Sequence, residues 1–168
     1  MGDKSFVKII KRIFDYLCRM IRITKIFTFE TAHVLYNYDG KCKNMHGHSY
    51  KLFVTVKGNP INDLDHHKNG MVVDFGDIKK IVNEEIIDLW DHSVLVNGAS
   101  PHRSLGESLE NQGHQVIFCD YQPTCENMLY DIASKIKSNC LPKFNSPTSN
   151  CTKPKILTAN GWLKRIDS

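Results

Sequence analysis

Apolar and polar positions alternate in two stretches of the chain, residues 21–33 and 46–58. In the first stretch, one face carries Ile23, Phe27, Phe29 and His33. In the second, one face carries His46, His48, Tyr50, Leu52, Val54 and Val56. A period of two residues predicts two strands, each with one buried side. The segment between them contains Asp39-Gly40, a turn signal, so the strands are predicted to pair in antiparallel fashion.

Helical spacing follows at two places. Asp74 or Asp77 can cap a helix whose apolar residues recur at intervals of three and four, namely Ile78, Ile81, Val82, Ile86, Leu89 and Trp90. Pro123-Thr124 opens a second helix, with one face made of Leu129, Ile132, Ala133 and Ile136. A short helix around Leu105–Gln112 and a short strand at Gln115–Cys119 are predicted between them. The order strand, strand, helix, helix indicates an α+β fold.

The two ends of the chain differ from this middle part. Residues 1–20 form a basic amphipathic segment, interpreted either as a transit peptide or surface helix, or as an appendage upstream of the domain. Residues 142–168 are rich in Asn, Ser, Thr, Lys and Pro and lose periodicity, apart from Lys155–Leu157. The predicted organisation is therefore a basic extension (1–20), one domain (21–141) and a divergent C-terminal tail (142–168).

Composition excludes several classes of protein. The 168 residues carry a net charge of +4, of which residues 1–19 supply +3, so the remaining chain is nearly neutral and a poor candidate for nucleic-acid binding. No run of 18 apolar residues occurs, which argues against a transmembrane helix. Six cysteines without a Cys-x-x-Cys pair or a secretory signal indicate reduced thiols in the cytoplasm rather than a disulfide framework.

Histidine is the more informative residue. His46 and His48 lie two residues apart on a predicted strand, so both side chains project from one face. His33 has the matching parity on the preceding strand and can meet them across the hairpin. Three imidazoles with an open fourth position form a typical catalytic zinc site. From spacing alone, that interpretation and ordinary polar strand positions both remain open.

Five segments, in this order and spacing, resemble the 6-pyruvoyl-tetrahydropterin synthase / 6-carboxy-tetrahydropterin synthase family: FTFETAH, GKCKNMHGHSY, GMVVDFGDIK, DLWDHSVLVN and YQPTCENM. The resemblance covers about residues 21 to 137. It implies the tunnelling fold, in which a four-stranded antiparallel sheet carries two helices on one face. It also implies a homo-oligomer, with trimers pairing into hexamers and active sites at subunit boundaries. The C-terminal tail gives no clear pattern for the last two strands of that sheet.

Matched to the family motifs, His33, His46 and His48 are the implied zinc ligands and Cys42 is the implied catalytic cysteine. Asp91 and His92 match the Asp-His pair that transfers protons, and the pterin-binding turn matches Thr124, Cys125 and Glu126. The string Asp65-His66-His67 looks similar to the Asp-His pair, but it precedes the MVVDF segment. It is therefore interpreted as a solvated loop.

The Cys-x-x-x-His-Gly-His spacing resembles the carboxy branch of the family. The implied activity is a zinc-dependent lyase that converts 7,8-dihydroneopterin triphosphate to 6-carboxy-5,6,7,8-tetrahydropterin, acetaldehyde and triphosphate, in biosynthesis of the 7-deazapurine queuosine. Cys42 would be the base, with a fourth zinc ligand or a passive loop thiol as the alternatives for this residue. Asp91 would orient His92 as a proton relay.

Three alternatives stay open. The first is the pyruvoyl synthase, which eliminates triphosphate. The second is a zinc- or pterin-binding homologue with impaired catalysis, because the family ends on a strand with a pterin-clamping glutamate and this chain has no glutamate after Glu126. The third is a membrane-surface protein, which accounts only for residues 1–19.

Overall fold

The computed structural model describes residues 8–9, 21–144 and 163–166. Its strands are β1 (Ile21–His33), β2 (His46–Gly58), β3 (Ser93–Asn97), β4 (Val116–Cys119) and β5 (Leu163–Ile166). Helix α1 consists of an α-helical part (Phe75–Val82), a π-helical stretch (Asn83–Ile87) and a last turn (Asp88–Trp90), and it is followed by α2 (Arg103–Asn111) and α3 (Cys125–Phe144). A one-turn 3₁₀ helix occupies Lys41–Lys43. Apart from residues 8–9, which are helical, the predicted basic segment lies outside the described residues, as does Lys155–Leu157.

The described strands form one sheet in the order β4-β3-β1-β2-β5. Strands β1 and β2 pair in antiparallel fashion along their whole length, from Ile21 opposite Gly58 to His33 opposite His46, as the alternation predicts. Strand β3 runs parallel to both β1 and β4. The sheet is therefore mixed, and the expectation of a wholly antiparallel sheet is wrong. Each parallel neighbour is reached through a connection that contains a helix, which returns the chain to the same end of the sheet.

The C-terminal tail supplies one of these strands. Strand β5 pairs antiparallel with β2, from Ser49 opposite Ile166 to Leu52 opposite Leu163. It covers the edge of β2 that β1 leaves open, so the part of the sheet nearest the HGH motif is paired on both sides. The sequence does not predict a strand at Leu163–Ile166, because no convincing alternating pattern marks these residues.

One face of the β1–β2 pair is buried against the helices, as predicted. The core combines strand residues, with Phe29, Tyr50 and Leu52 nearly inaccessible, with residues of α1 and α3. Of the predicted apolar face of α3, Ile132 and Ile136 are buried and Leu129 and Ala133 are partly buried, while Met128, which was not predicted to lie on this face, is fully buried. The opposite face of β1 is exposed and carries Arg22, Thr24, Ile26 and Glu30. No helix in the described part of the chain is both long enough and apolar enough to cross a membrane.

Two local features shape helix α1, a capping residue at its start and a π turn within it. Asp74 caps it, with the Oδ1 atom accepting the N–H of Gly76 at 2.7 Å, and this hydrogen bond lowers the pKa of the Asp74 carboxyl. Further along, the N–H of Asp88 donates to the carbonyl of Asn83, five residues back. This wider π turn favours a four-residue spacing, so Trp90 is buried and Leu89 is exposed. The prediction that Leu89 shares the buried face is therefore wrong.

Replacement of Trp90 by alanine is expected to lower the free energy of unfolding by about 3–5 kcal/mol. The indole is 1% exposed, meets the Phe29 ring edge-on at 6.2 Å between centroids, and lies 5.2 Å from Lys135 Nζ. Urea denaturation measures the change. Leu89→Ala, on the adjacent exposed residue, is the matched control and should cost less than about 1 kcal/mol. Equal losses in the two variants would contradict the burial of Trp90.

Candidate functional site

Three histidines meet where the β1–β2 ladder ends. His33 is the direct cross-strand partner of His46, and His48 follows two residues later on the same face. One nitrogen of each ring lies within 4.8 Å of the other two, and the Nε2 atoms of His33 and His46 are 3.1 Å apart. The predicted convergence of the three imidazoles is confirmed. Among the residues that the structure describes, His33, His46 and His48 form the cluster of His, Cys, Asp or Glu side chains that could hold a metal ion.

Main-chain carbonyls orient two of the three rings. His33 Nδ1 donates to the carbonyl of Pro123 at 2.6 Å, and His46 Nδ1 donates to the carbonyl of Asn44 at 2.7 Å. A carbonyl only accepts, so each neutral ring carries its proton on Nδ1 and presents the Nε2 lone pair to the cluster. Two lone pairs 3.1 Å apart repel each other unless a cation or a proton lies between them.

The donor set fits a divalent metal ion. A tetrahedral zinc ion with Zn–N bonds of about 2.0–2.1 Å separates its ligand nitrogens by about 3.3 Å. The observed 3.1 Å between His33 and His46 matches that separation. Three neutral imidazoles leave the fourth position open and leave the charge of the ion uncompensated, which suits activation of an oxygen ligand. Imidazole suits zinc, copper, iron and nickel alike.

Cys42 lies in the 3₁₀ turn that precedes β2 and is a half-buried free thiol. Its carbonyl accepts the N–H of Leu35 at 3.2 Å, which closes the loop directly behind His33. Within the described part of the chain, the cluster of ligand atoms comprises the three imidazoles and does not include the Cys42 sulfur. The structure thus places Cys42 at the base of a loop that leaves and re-enters the sheet at the histidines.

Asp91 and His92 form a contact pair at the end of α1. Asp91 Oδ2 is 3.0 Å from His92 Nδ1, while Oδ1 accepts the N–H of Glu30 at 2.8 Å. The N–H of His92 donates to the carbonyl of Glu30 at 2.6 Å. The N–H and the carbonyl of Glu30 therefore both bond to the Asp91-His92 pair, and these two hydrogen bonds fix the pair against β1. His92 has a φ of 60°, a left-handed conformation that non-glycine residues rarely adopt and that is concentrated at functional sites.

These hydrogen bonds keep Asp91 charged. The N–H of Glu30 is the main cause of the lowered pKa of the Asp91 carboxyl, the contact with His92 adds to it, and partial burial opposes both. A charged carboxylate only accepts, so the His92 nitrogen that faces it carries a proton. The other ring nitrogen of His92 is left for a ligand, and the side chain is 78% exposed.

A cleft of about 380 Å³ lies next to this pair, and its lining includes His92 together with Glu30, Ala32, Gly47 and Ser49, which have the strand parity opposite to that of the three imidazoles. Its polar wall includes Glu30 and Ser49, joined by a hydrogen bond of 2.7 Å from the Ser49 hydroxyl to the Glu30 carboxylate. Neither Glu30 nor Ser49 was among the predicted site residues. The signal was present, because both are polar residues inside the FTFE and HGHSY segments, on the solvent-facing parity of their strands.

The third predicted segment, Thr124, Cys125 and Glu126, lies at the start of α3. Thr124 Oγ1 accepts the N–H of Asn127 at 3.3 Å and so caps the helix. Glu126 is exposed in the first turn, where the helix dipole favours a negative charge, and Cys125 is half-buried. The hydrogen bond from His33 to the carbonyl of Pro123 connects this segment to the histidine cluster.

The Asp65-His66-His67 string lies in the loop between β2 and α1. The rings of His66 and His67 stack on each other at 4.7 Å between centroids, and His67 and Asp65 are exposed. The loop position agrees with the prediction, and the Asp91-His92 pair is the one that contacts the sheet, at Glu30 of β1.

The sequence of this chain matches those of known proteins. Residues 22–156 match the family model described as 6-pyruvoyl tetrahydropterin synthase. The chain is 32% identical over 143 residues to the 6-carboxy-5,6,7,8-tetrahydropterin synthase of Haemophilus influenzae, covering 79% of this chain and 97% of the relative. It is 28% identical over 126 residues to the 6-pyruvoyl tetrahydrobiopterin synthase of Dictyostelium discoideum, covering 69% and 89%.

Two solved structures share the fold. An uncharacterized protein from Wolinella succinogenes superposes with a TM-score of 0.57 at 16% identity, covering 74% of this chain and 87% of the other. The Caenorhabditis elegans 6-pyruvoyl tetrahydropterin synthase superposes with a TM-score of 0.51 at 25% identity, covering 71% and 78%. The α+β arrangement around a mixed sheet is therefore a known fold.

Proposed function

Because this chain belongs to the 6-pyruvoyl tetrahydropterin synthase family, we propose that it is a zinc-dependent lyase acting on 7,8-dihydroneopterin triphosphate. The proposed products are 6-carboxy-5,6,7,8-tetrahydropterin, acetaldehyde and triphosphate. The observation that carries the proposal is the cluster of His33, His46 and His48, whose ligand nitrogens lie within 4.8 Å of one another. The carboxy product is favoured because the Haemophilus relative, at 32% identity, carries that name.

His33, His46 and His48 would hold the zinc ion. When bound, zinc would supply Lewis acidity that polarises the hydroxyl groups of the substrate side chain. The hydrogen bonds from His33 to Pro123 and from His46 to Asn44 fix which nitrogen each ring offers. These carbonyls hold the rings in place before the ion arrives, which lowers the cost of assembling the site.

Proton transfer is assigned to Cys42, Asp91 and His92. Cys42, in the loop closed behind His33, would act as thiolate base toward the substrate side chain. Asp91 would hold one nitrogen of His92, so that the other nitrogen exchanges protons with the reacting side chain. The left-handed backbone of His92 and its two links to Glu30 keep the ring at the mouth of the cleft.

The pterin ring would bind at Thr124, Cys125 and Glu126. The Glu126 carboxylate can accept two parallel hydrogen bonds from the amino and ring N–H groups of a pterin. Its exposure leaves both oxygens accessible, and the capped first turn of α3 holds the segment in a defined conformation. The hydrogen bond between His33 and Pro123 keeps this pterin segment next to the metal cluster.

The proposal extends to the oligomeric assembly of the protein and to its cellular role. We place the active sites at boundaries between subunits of a trimer or hexamer, in the cytoplasm, in the pathway to queuosine. The 78% exposure of His92 in a single chain supports a site that a neighbouring subunit completes.

The second candidate is the pyruvoyl synthase, which the family description and the Dictyostelium relative favour. Zinc-loaded protein incubated with 7,8-dihydroneopterin triphosphate separates the two when pterins are followed by chromatography and mass spectrometry. Carboxy-tetrahydropterin together with acetaldehyde supports the first reaction, and a pyruvoyl pterin without acetaldehyde supports the second. Bound zinc without any product would instead indicate a catalytically impaired homologue, as the lack of a glutamate after Glu126 suggests.

Replacement of Cys42 by alanine is expected to lower kcat by about 10²–10⁴-fold, the usual contribution of a positioned base. Zinc stoichiometry should be unchanged, because the metal ligands are imidazoles. Steady-state kinetics and metal analysis on the same preparation check both points. Cys119→Ala, at a buried thiol on β4, is the matched control and should keep the kcat of the unaltered protein. Full turnover in Cys42→Ala would remove Cys42 from the mechanism.

A further inference from the structure

Gln122 precedes the Pro123–Thr124 turn and joins it to the loop behind β1. The Gln122 Oε1 atom accepts the N–H of Tyr36 at 3.1 Å, and Nε2 donates to the carbonyl of Tyr36 at 2.8 Å. Two hydrogen bonds exchanged with one residue reproduce the pairing that a neighbouring strand provides. The side chain of Gln122 thus takes the place of a strand partner three residues after β1 has ended.

Tyr36 is the point from which this loop, residues 34–45 (the Cys42 loop), turns away from the sheet. Asn37 follows with a φ of 55°, and Leu35 donates its N–H to the carbonyl of Cys42 at 3.2 Å. The ring of Tyr36 also packs edge-on against His102 at 5.3 Å. Gln122 binds both the N–H and the carbonyl of Tyr36, and so fixes the conformation of the chain where the Cys42 loop begins.

The main chain at Gln122 is tied to the metal cluster. Its carbonyl accepts the N–H of Thr124 at 2.7 Å and the side-chain amide of Asn127 at 3.0 Å. The next carbonyl, that of Pro123, accepts Nδ1 of His33 at 2.6 Å. The same short segment therefore holds the ring of one metal ligand and, through one side chain, the Cys42 loop.

We propose that Gln122 is a positioning residue that couples the Cys42 loop to the three-histidine cluster, because it holds Tyr36 at a fixed distance from the Pro123 carbonyl that orients His33. The proposal rests on the proposed function for the roles of zinc and Cys42. A disturbance at Tyr36 passes through the Gln122 side chain to the carbonyl that orients His33. Loss of the amide should therefore free the Cys42 loop and weaken metal binding together.

Gln122→Met tests this coupling, because methionine has a similar length and cannot make either amide hydrogen bond. Two quantities are measured: the rate of iodoacetamide labelling of Cys42 and Cys119, by peptide mass spectrometry of metal-free protein, and Zn²⁺ affinity, by competition with a chromophoric chelator. We expect Cys42 to label about 10-fold faster, because its loop opens more often. We expect zinc affinity to fall about 10-fold, as when a partner of a ligating histidine is disturbed. Buried Cys119 should label at its original rate.

Two further variants sharpen the test. Gln122→Glu keeps an acceptor for the Tyr36 N–H but loses the donor to the Tyr36 carbonyl. The rise in the Cys42 labelling rate and the fall in zinc affinity should therefore each be at least about 3-fold, half of the change in Gln122→Met on a logarithmic scale. Gln112→Ala is the matched control and should match the unaltered protein, since this exposed glutamine directly follows α2 and its side-chain amide donates to the Ser108 hydroxyl at 3.3 Å.

The coupling is wrong if Gln122→Met changes neither Cys42 labelling nor zinc affinity, or only one of the two. It is also wrong if Cys119 labelling rises in step with Cys42, because general loosening then explains the result. Failure of the unaltered protein to bind zinc would contradict the proposed function and, with it, the coupling to zinc. The labelling rates would then still show whether Gln122 holds the Cys42 loop, so the two failures are distinguishable.

Discussion

Replacement of His46 by alanine is expected to lower zinc affinity by more than 100-fold and to abolish turnover. Loss of a hydrogen-bond partner outside the metal shell typically costs 10–100-fold in affinity, and loss of one of only three protein ligands should cost more. His46 lies directly opposite His33, and its Nε2 atom is 3.1 Å from that of His33. Two imidazoles remain in the variant, so weak binding can persist at high zinc concentration. Metal analysis after exhaustive dialysis, followed by competition titration, measures the loss.

The chain provides a matched control for this variant. His67 is an exposed histidine in the loop between β2 and α1, stacked on His66 and outside the metal cluster. His67→Ala should bind zinc with the affinity of the unaltered protein. If His46→Ala retains one zinc ion per chain with unchanged affinity, the three-histidine site is wrong. If both variants lose zinc equally, the effect is not specific to the cluster.

Replacement of Asp91 by asparagine is expected to lower kcat by about 10²–10⁴-fold while zinc affinity stays within a few-fold of its original value. Asparagine can still accept the N–H of Glu30 through its carbonyl oxygen. Its amide group would then face His92 Nδ1, and two donors cannot share a hydrogen bond. His92 would be driven to the other tautomer or out of its position. Steady-state kinetics with metal analysis separates this effect from metal loss.

Asp91→Asn should also change the pH dependence of stability. The pKa of the Asp91 carboxyl is lowered in the folded protein by the Glu30 N–H and His92, so the charged form stabilises the fold above the unfolded pKa of about 3.9. That stabilisation is lost as the pH falls through the lower, folded-state pKa. The difference in free energy of unfolding between the unaltered protein and Asp91→Asn should therefore be largest near neutral pH and decrease below about pH 4.

Asp88→Asn is the control for both measurements, because Asp88 is an exposed carboxylate in the last turn of the same helix. It should leave kcat near its original value. Equal kinetic effects at the two positions, or full turnover in Asp91→Asn, would contradict the assignment of the Asp91-His92 pair.

The convergence of the histidines could be predicted because a strand has a strict two-residue period. Parity alone places His46 and His48 on the face that also buries Tyr50, and places His33 on the matching face of β1. The buried face also fixes the register, since a slip by one residue would expose every core side chain of β2. Helix starts at Asp74 and Thr124 were likewise marked by capping residues whose effect is local.

Contacts between distant parts of the chain were not predictable in this way. Strand β3 is five residues long, and its parallel pairing with β1 depends on how α1 packs, which no local pattern encodes. The carbonyl of Pro123 orients His33 across 90 residues of sequence, and a backbone atom leaves no signature in residue type. The π turn at Asn83–Ile87 changes which side chain of α1 is buried, because it adds a wider turn inside an otherwise regular helix.

The most direct test of the proposed zinc-dependent lyase activity is a zinc titration of metal-free protein, with turnover of 7,8-dihydroneopterin triphosphate measured at each step. We expect no turnover without metal and a linear rise to a maximum at one zinc ion per chain, with acetaldehyde and carboxy-tetrahydropterin formed in equal amounts. Turnover in the metal-free protein, or no turnover when one zinc ion per chain is bound, would contradict it.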